Sequence, residues 1–250
     1  MKTKKKMFNL DNHPNKVSRK ADLDPEQAGL LRITKQFEEK KRTGDEFEEN
    51  VSLKLKEVEG YLFDNIYFET GNYISRLFLY ESIQIDHILA TREGVFCIED
   101  KWLDDNKYVQ ISGGAQSNSW KLQKYKGTST TEINGLKQNY RHKIFLDELF
   151  EFNGIEVPVY QITVIGGVLR DKIKMQQFID ANLVDEEELL DKINYLKSRN
   201  KEEVNISKVK EIIEEWRCKD KAVEKQHLVY CRHIKDKKLP AKCKIILRTN

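Results

Sequence analysis

Apolar and polar positions divide the chain into a helical opening, a strand-rich middle and a helical remainder. Asp24 and Pro25 offer an N-cap and a first-turn proline, which predicts a helix over about 25–42 that breaks at Thr43-Gly44. A second helix follows, with Thr43 and Glu46 at capping-box spacing and Phe47, Val51, Leu55 and Val58 recurring at helical period. After Gly60 the composition turns to β-branched and aromatic residues. Ile66 to Phe68, Ile74 to Tyr80, Ile83 to Leu89 and Val95 to Ile98 predict strands, the last two joined by a turn at Arg92-Glu93-Gly94. Clusters of Asp, Asn, Gly and Ser over 104–131 predict an irregular loop with one short strand at 108–111. Asn134-Gly135 opens a helix carrying Leu136, Tyr140, Ile144 and Phe145, and Val157 to Val168 is an apolar run closed by Gly166-Gly167, the pattern of a buried strand. Helical periods return at 184–197 and 206–217, while 227–234 and 243–248 fit either short strands or a final helix. This order predicts a mixed α/β fold.

Composition narrows the class. Hydrophobic residues make up 39% of the 250 and charged residues 34%, with a mean hydropathy of −0.68, so a packed core lies under a heavily charged surface. No uncharged apolar run approaches the ~18 residues that a membrane helix needs, and no apolar region follows the basic N-terminus to make a secretory signal. Cys97, Cys218, Cys231 and Cys243 form no C-x-x-C pair and sit at no zinc spacing, so the expectation is a reducing cytoplasm without disulfides or structural zinc. The net charge of +3 is unevenly spread. Seven Lys and Arg fall between Lys2 and Lys20, and a second excess runs from Arg217 to Arg248. Basic ends suit a polyanionic partner, because each phosphate contact releases counterions. Residues 1–22 have the composition of a disordered tail.

The chemistry concentrates in one stretch, Ile85 to Lys101. It reads as two antiparallel strands around a short turn, with Asp86 near the start of the first and Glu99-Asp100-Lys101 ending the second. Alternation puts Glu99 and Lys101 on one face and turns Asp100 to the other, where it is expected to matter little. Pairing across the turn brings Asp86 opposite Glu99 and Lys101. Two carboxylates can hold Mg²⁺, a hard cation that prefers oxygen ligands and keeps its waters. A metal there polarises a scissile phosphate and activates water, and the lysine stabilises developing negative charge. His87, alternating away from Asp86, reads as a packed histidine, Trp120 as core, and His142 as a residue one turn beyond Gln138.

The string Ile85 to Trp102 resembles the core of the nuclease-related domain (NERD) family, a branch of the PD-(D/E)xK nucleases. Three further pieces carry the resemblance: the helix Gly44 to Val51, Trp120 after the acid-x-Lys strand, and Asn134-Gly135-Leu136-Lys137-Gln138, similar to the family's Asn-Pro-x-x-Gln helix start. It covers about residues 44–168, and departs from the pattern at Gly135, where proline is usual, and at Asp100 and Trp102. The resemblance implies a restriction-endonuclease-like α/β core, a mixed central sheet flanked by helices, with a mainly helical C-terminal extension. The expected organisation is a tail at 1–22, a nuclease-like domain at 23–170 and the extension at 171–250. Asp86 and Glu99 would be metal ligands, with Glu48 joining the metal shell through water, Lys101 the catalytic lysine, and Gln138 touching substrate or ordering the site. The implied activity is Mg²⁺-dependent (Mn²⁺ serving as well) endonucleolytic cleavage of DNA. The alternative is a nuclease-fold module that binds nucleic acid with little or no turnover.

Overall fold

The structure is a computed structural model that describes residues 43–69, 82–104, 107–114, 117–167, 173–174 and 182–221. The expected tail at 1–22, the helix at 25–42, the strand at 74–80 and the segments 227–234 and 243–248 lie outside the described residues.

Helix α1 occupies residues 43–55, and strands β1 (Tyr61–Glu69), β2 (Ser82–Thr91) and β3 (Gly94–Trp102) follow. Thr43 and Gly44 are already helical, and the helix expected before them lies outside the described residues. Strands β4 (Tyr108–Ser112), β5 (Ser119–Lys124) and β6 (Ser129–Ile133) come next, then helix α2 (Gly135–Phe152) and strands β7 (Val159–Gly166), β8 (Ile173–Lys174) and β9 (Leu183–Asp185). Helices α3 (Leu189–Arg199) and α4 (Ile206–Trp216) complete the described chain. The expected helix over 184–197 therefore begins later, because Leu183–Asp185 is taken up as a strand beside β7.

The main sheet has the order β1-β2-β3-β7-β9. β1, β2 and β3 are antiparallel, whereas β3, β7 and β9 run parallel. Helices cover both faces. Phe47, Val51 and Leu55 of α1 and Leu189 and Ile193 of α3 pack with Leu89, Phe96, Ile98, Ile162 and Val164. On the other face Phe145, Leu146 and Leu149 of α2 and Val209, Ile212 and Ile213 of α4 pack with Ile83, Ile88, Val95 and Cys97. This is a mixed sheet flanked by helices, consistent with a restriction-endonuclease-like core. Residues beyond 170 contribute the edge strand β9 and one helix to each face.

Within residues 104–131 the expected short strand at 108–111 is β4, but the rest differs from the expected loop. They form three strands of a second sheet, order β6-β5-β4-β8, whose inward Trp120 and Leu122 are fully buried. The alternation is there in Ser119-Trp120-Lys121-Leu122-Gln123, but its outward positions are Ser, Lys and Gln, which weaken the strand signal without weakening the ladder.

Candidate active site in a strand fork

The β2–β3 ladder runs from Thr91↔Gly94 to His87↔Ile98 and stops there. β2 continues beside β1 to Ser82 and β3 beside β7 to Trp102, so the two strands part at Asp86 and Glu99. A second irregularity sits at the same level. β1 and β2 keep one register on either side of it, Asp64↔His87 and Ile66↔Ile85, yet Phe63 shares a core cluster with Ile66, and Ile85 with Ile88. Strict alternation would put the members of each pair on opposite faces. Both strands therefore swap faces at Asn65, which has φ 53°, and at Asp86. Asp86 occupies the swap point, half-buried in the fork. Its Oδ2 accepts the Asp100 backbone N–H at 2.9 Å, satisfying a donor that the vanished ladder no longer serves.

Glu99 continues the face that carries Cys97 and α2 and is fully buried. Lys101 Nζ pairs with Glu99 Oε1, and Glu99 Oε2 lies 3.4 Å from His142 Nδ1 on α2. The fork thus brings together Asp86, Glu99 and Lys101, and adds His142. Burial first, and the Asp86 charge second, push the Glu99 carboxyl well above the usual carboxylate range, against the pull of Lys101. Burial works against the Lys101 charge, but Glu99, Asp86 and the hydrogen bond to Glu99 outweigh it and keep the ammonium protonated. Glu48 approaches from α1, where its Oε1 accepts a hydrogen bond from Asn65 Nδ2. Burial and the Asp86 charge push Glu48 up to about 7, while His87 opposes them. Gln138 lies in the first turns of α2, with its Oε1 buried and free of hydrogen bonds. Among the described residues no three His, Cys, Asp or Glu side chains converge closely enough to cage a metal ion.

The opposite face of the fork holds a constellation that sequence reasoning missed. His87 is buried and bridges two carboxylates, with Nδ1 2.7 Å from Asp64 Oδ1 and Nε2 2.8 Å from Asp100 Oδ2. Burial disfavours charge on His87, but the hydrogen bonds to Asp100 and Asp64, with the charges of Asp100 and Asp86, raise it to about 10. Asp100 does point away from Glu99, as alternation requires. It is nonetheless buried: desolvation lifts it to about 6 in spite of the His87 hydrogen bond. Asp64 also accepts from Ser52 Oγ of α1 at 2.8 Å. The hydrogen bonds from His87 and Ser52 outweigh burial and hold it below the ordinary carboxylate value. The alternation of His87 and Asp100 was visible in the sequence; that Asp64 lies on a strand beside β2 was not.

Helix α2 is fixed against the fork by two side chains. Asn134 caps it, accepting the Lys137 N–H at 3.2 Å, while its Nδ2 donates to the Gly114 and Ser117 carbonyls. Asn139, fully buried, donates from Nδ2 to Cys97 O at 3.1 Å and Ile162 O at 2.7 Å, tying α2 to β3 and β7 just below Glu99. Gly135 explains its own departure from proline. A Cβ there would lie 2.8 Å from Lys101 Cγ and 3.1 Å from Thr163 Cγ2, so the bare backbone leaves room for the lysine stem.

No curated protein and no solved structure matches the chain. The model of the nuclease-related domain matches residues 43–166, a span that opens at α1, contains the whole fork and ends with β7. Through that span the chain belongs to the nuclease-related domain family, within the PD-(D/E)xK superfamily.

Proposed function

We propose that the protein is a Mg²⁺-dependent nuclease that hydrolyses phosphodiester bonds of DNA endonucleolytically. The observation that carries the reading is the fork, which gathers Asp86, Glu99 and Lys101 where β2 and β3 part. The donor set fits the metal. Mg²⁺ takes one or two carboxylates and keeps several waters, so Asp86 and Glu99 suffice and a three-residue cage is not required. Glu99 Oε2, buried without a hydrogen bond, is an acceptor that suits a cation, and Glu48, whose charge is coupled to that of Asp86, would join the shell through a metal water. When bound, the metal supplies Lewis acidity to the phosphate and the attacking water.

The chain's own residues supply the rest. Lys101, kept charged beside Glu99, offers positive charge to oxygens that gain negative charge as the bond breaks. Gln138, with an unused amide oxygen, would orient a water or a sugar edge. The competing reading, a binding module without turnover, draws on the complete burial of Glu99 and its ion pair with Lys101.

Closed circular plasmid and linear duplex incubated with Mg²⁺, Mn²⁺ or EDTA separate the two. The expected result is nicking and linearisation of the circle in either metal and none in EDTA. Asp86→Asn and Glu99→Gln abolish cleavage, and Lys101→Ala lowers it by roughly 10²–10³-fold. Cleavage that persists in EDTA or survives Glu99→Gln overturns the proposal. Binding without cleavage in either metal favours the module.

A further inference from the structure

Between Asn106 and Leu146 the sequence carries seven Lys and Arg and a single acid, Glu132, in a chain where 41 of 250 residues are Asp or Glu. The depletion has a shape. β5 and β6 pair antiparallel with Ser119↔Ile133, Lys121↔Thr131 and Gln123↔Ser129, so Ser119, Lys121, Gln123, Ser129, Thr131 and Ile133 share the outward face, and all six are exposed. The inward Trp120 and Leu122 pack with Leu103, Ile111 and Leu136, leaving the outward face of the hairpin uncovered among the described residues. Lys124 and Lys126 flank the exposed tip at Tyr125.

Some lysines of the protein are held by acids, and among the described residues those of this hairpin are not. Lys54, Lys143, Lys197 and Lys208 each pair with an acid. Lys121, Lys124 and Lys126 make no ion pair among the described residues. The one acid of the stretch faces inward, where its charge acts on Lys101. The hairpin is also wired to the fork: β6 runs straight into Asn134, which caps α2, and Gly135 abuts the Lys101 stem.

We propose that the outward face of the β5–β6 hairpin is the surface on which duplex DNA docks, by its phosphate backbone, so that a strand reaches Lys101. This rests on the nuclease reading above. Unpaired cations interleaved with hydroxyls and an amide, without acids, are the complement of a phosphate backbone. Tyr125 is the hairpin's only exposed aromatic ring, whereas proteins that take unpaired strands stack successive bases on several. The face therefore fits a duplex, held without reading its sequence.

The test is the full-length triple variant Lys121→Gln/Lys124→Gln/Lys126→Gln, titrated by fluorescence anisotropy against a labelled mixed-sequence duplex in EDTA across a salt series. Each phosphate contact contributes about 0.9 to the slope of log K against log salt, so the variant's slope should be shallower by up to about 2.7, with weaker binding at low salt. Lys192→Gln/Lys208→Gln/Lys210→Gln, on α3 and α4, should leave the slope unchanged, and thermal melting checks that both variants are folded. If the wild-type protein binds and cuts duplex but the hairpin variant keeps its slope, the docking face is overturned and the nuclease reading stands. A change confined to single-stranded DNA overturns the duplex assignment. If the wild-type protein binds no nucleic acid, the nuclease reading itself fails.

Discussion

His87 holds a proton between Asp64 and Asp100, so each carboxylate depends on the other's partner. Asp100→Ala leaves a buried cation short of one counter-charge, and breaking such pairs costs about 3–5 kcal/mol. The expected result is a clear fall in melting temperature, so a residue that alternation alone would call dispensable becomes structural. Asp64 gives the pH test. Its carboxyl titrates lower in the folded chain than the ordinary 3.8 because His87 and Ser52 donate to it. The unfolded chain therefore takes up the proton first. Asp64's contribution is present above about 3.8 and is lost as the pH falls through its depressed value. Denaturant midpoints measured from pH 6 down to 2.5 should show that acid limb, and Asp64→Asn should flatten it; equal limbs in both proteins would remove Asp64 from the account. The convergence of Asp86, Glu99 and Lys101 was legible because one short turn fixes the β2–β3 ladder and carries all three to its open end; the face swap at Asp86 was not. Asp64 was not, because it reaches His87 through a strand pairing across a connection of 12 residues, which periodicity does not reveal.

Among elements, close approaches at two glycines decide how the helices sit. A Cβ at Gly166 would come within 2.3 Å of Phe47 Cε2, so β7 meets α1 through bare backbone. Gly166→Ala should destabilise by about 1–3 kcal/mol through overpacking, read as a lower denaturant midpoint with an unchanged slope. Gly135→Ala has a different signature. The new methyl displaces the Lys101 stem rather than a core ring, so cleavage should drop on the order of 10²-fold while the melting temperature barely moves. Loss of stability with activity retained would show that the contact only packs. The long elements were legible: α2, β7 and α4 fall where their apolar periods predicted. β4 falls on the expected short strand at 108–111, whereas β5 and β6 were not legible because Gly113, Gly114 and Gly127 punctuate strands whose exposed positions are polar. Helix α1 takes in Gly44 because one glycine near a helix end costs only about 1 kcal/mol and packing of Phe47, Val51 and Leu55 outweighs it.

At the scale of the molecule, the family span shares its cores with the chain beyond it. Residues 43–221 share two cores on the main sheet, and both draw on chain beyond 166: Val184, Leu189 and Ile193 on one face, Val209, Ile212 and Ile213 on the other. Burying an aliphatic side chain contributes about 1.5–3 kcal/mol, so these six contribute roughly 9–18 kcal/mol, as much as the whole net stability of a typical domain. A chain ending at residue 170 should lack a cooperative melting transition and expose apolar surface to a hydrophobic dye. A sharp transition would mean that the two cores close without those helices. α4 also ties back to β1, through the Phe68↔Arg217 bridge and the Cys218 N–H to the Tyr67 carbonyl at 2.7 Å. That closure sets a schedule for biosynthesis. A ribosome releases the fork's carboxylates and lysine well before the helix that seals the sheet beneath them, and folding of the fork waits for residues near 216 to emerge. On the proposed chemistry, a nascent chain surrounded by messenger and ribosomal RNA carries the parts of a phosphodiesterase unassembled until translation of its core is almost complete.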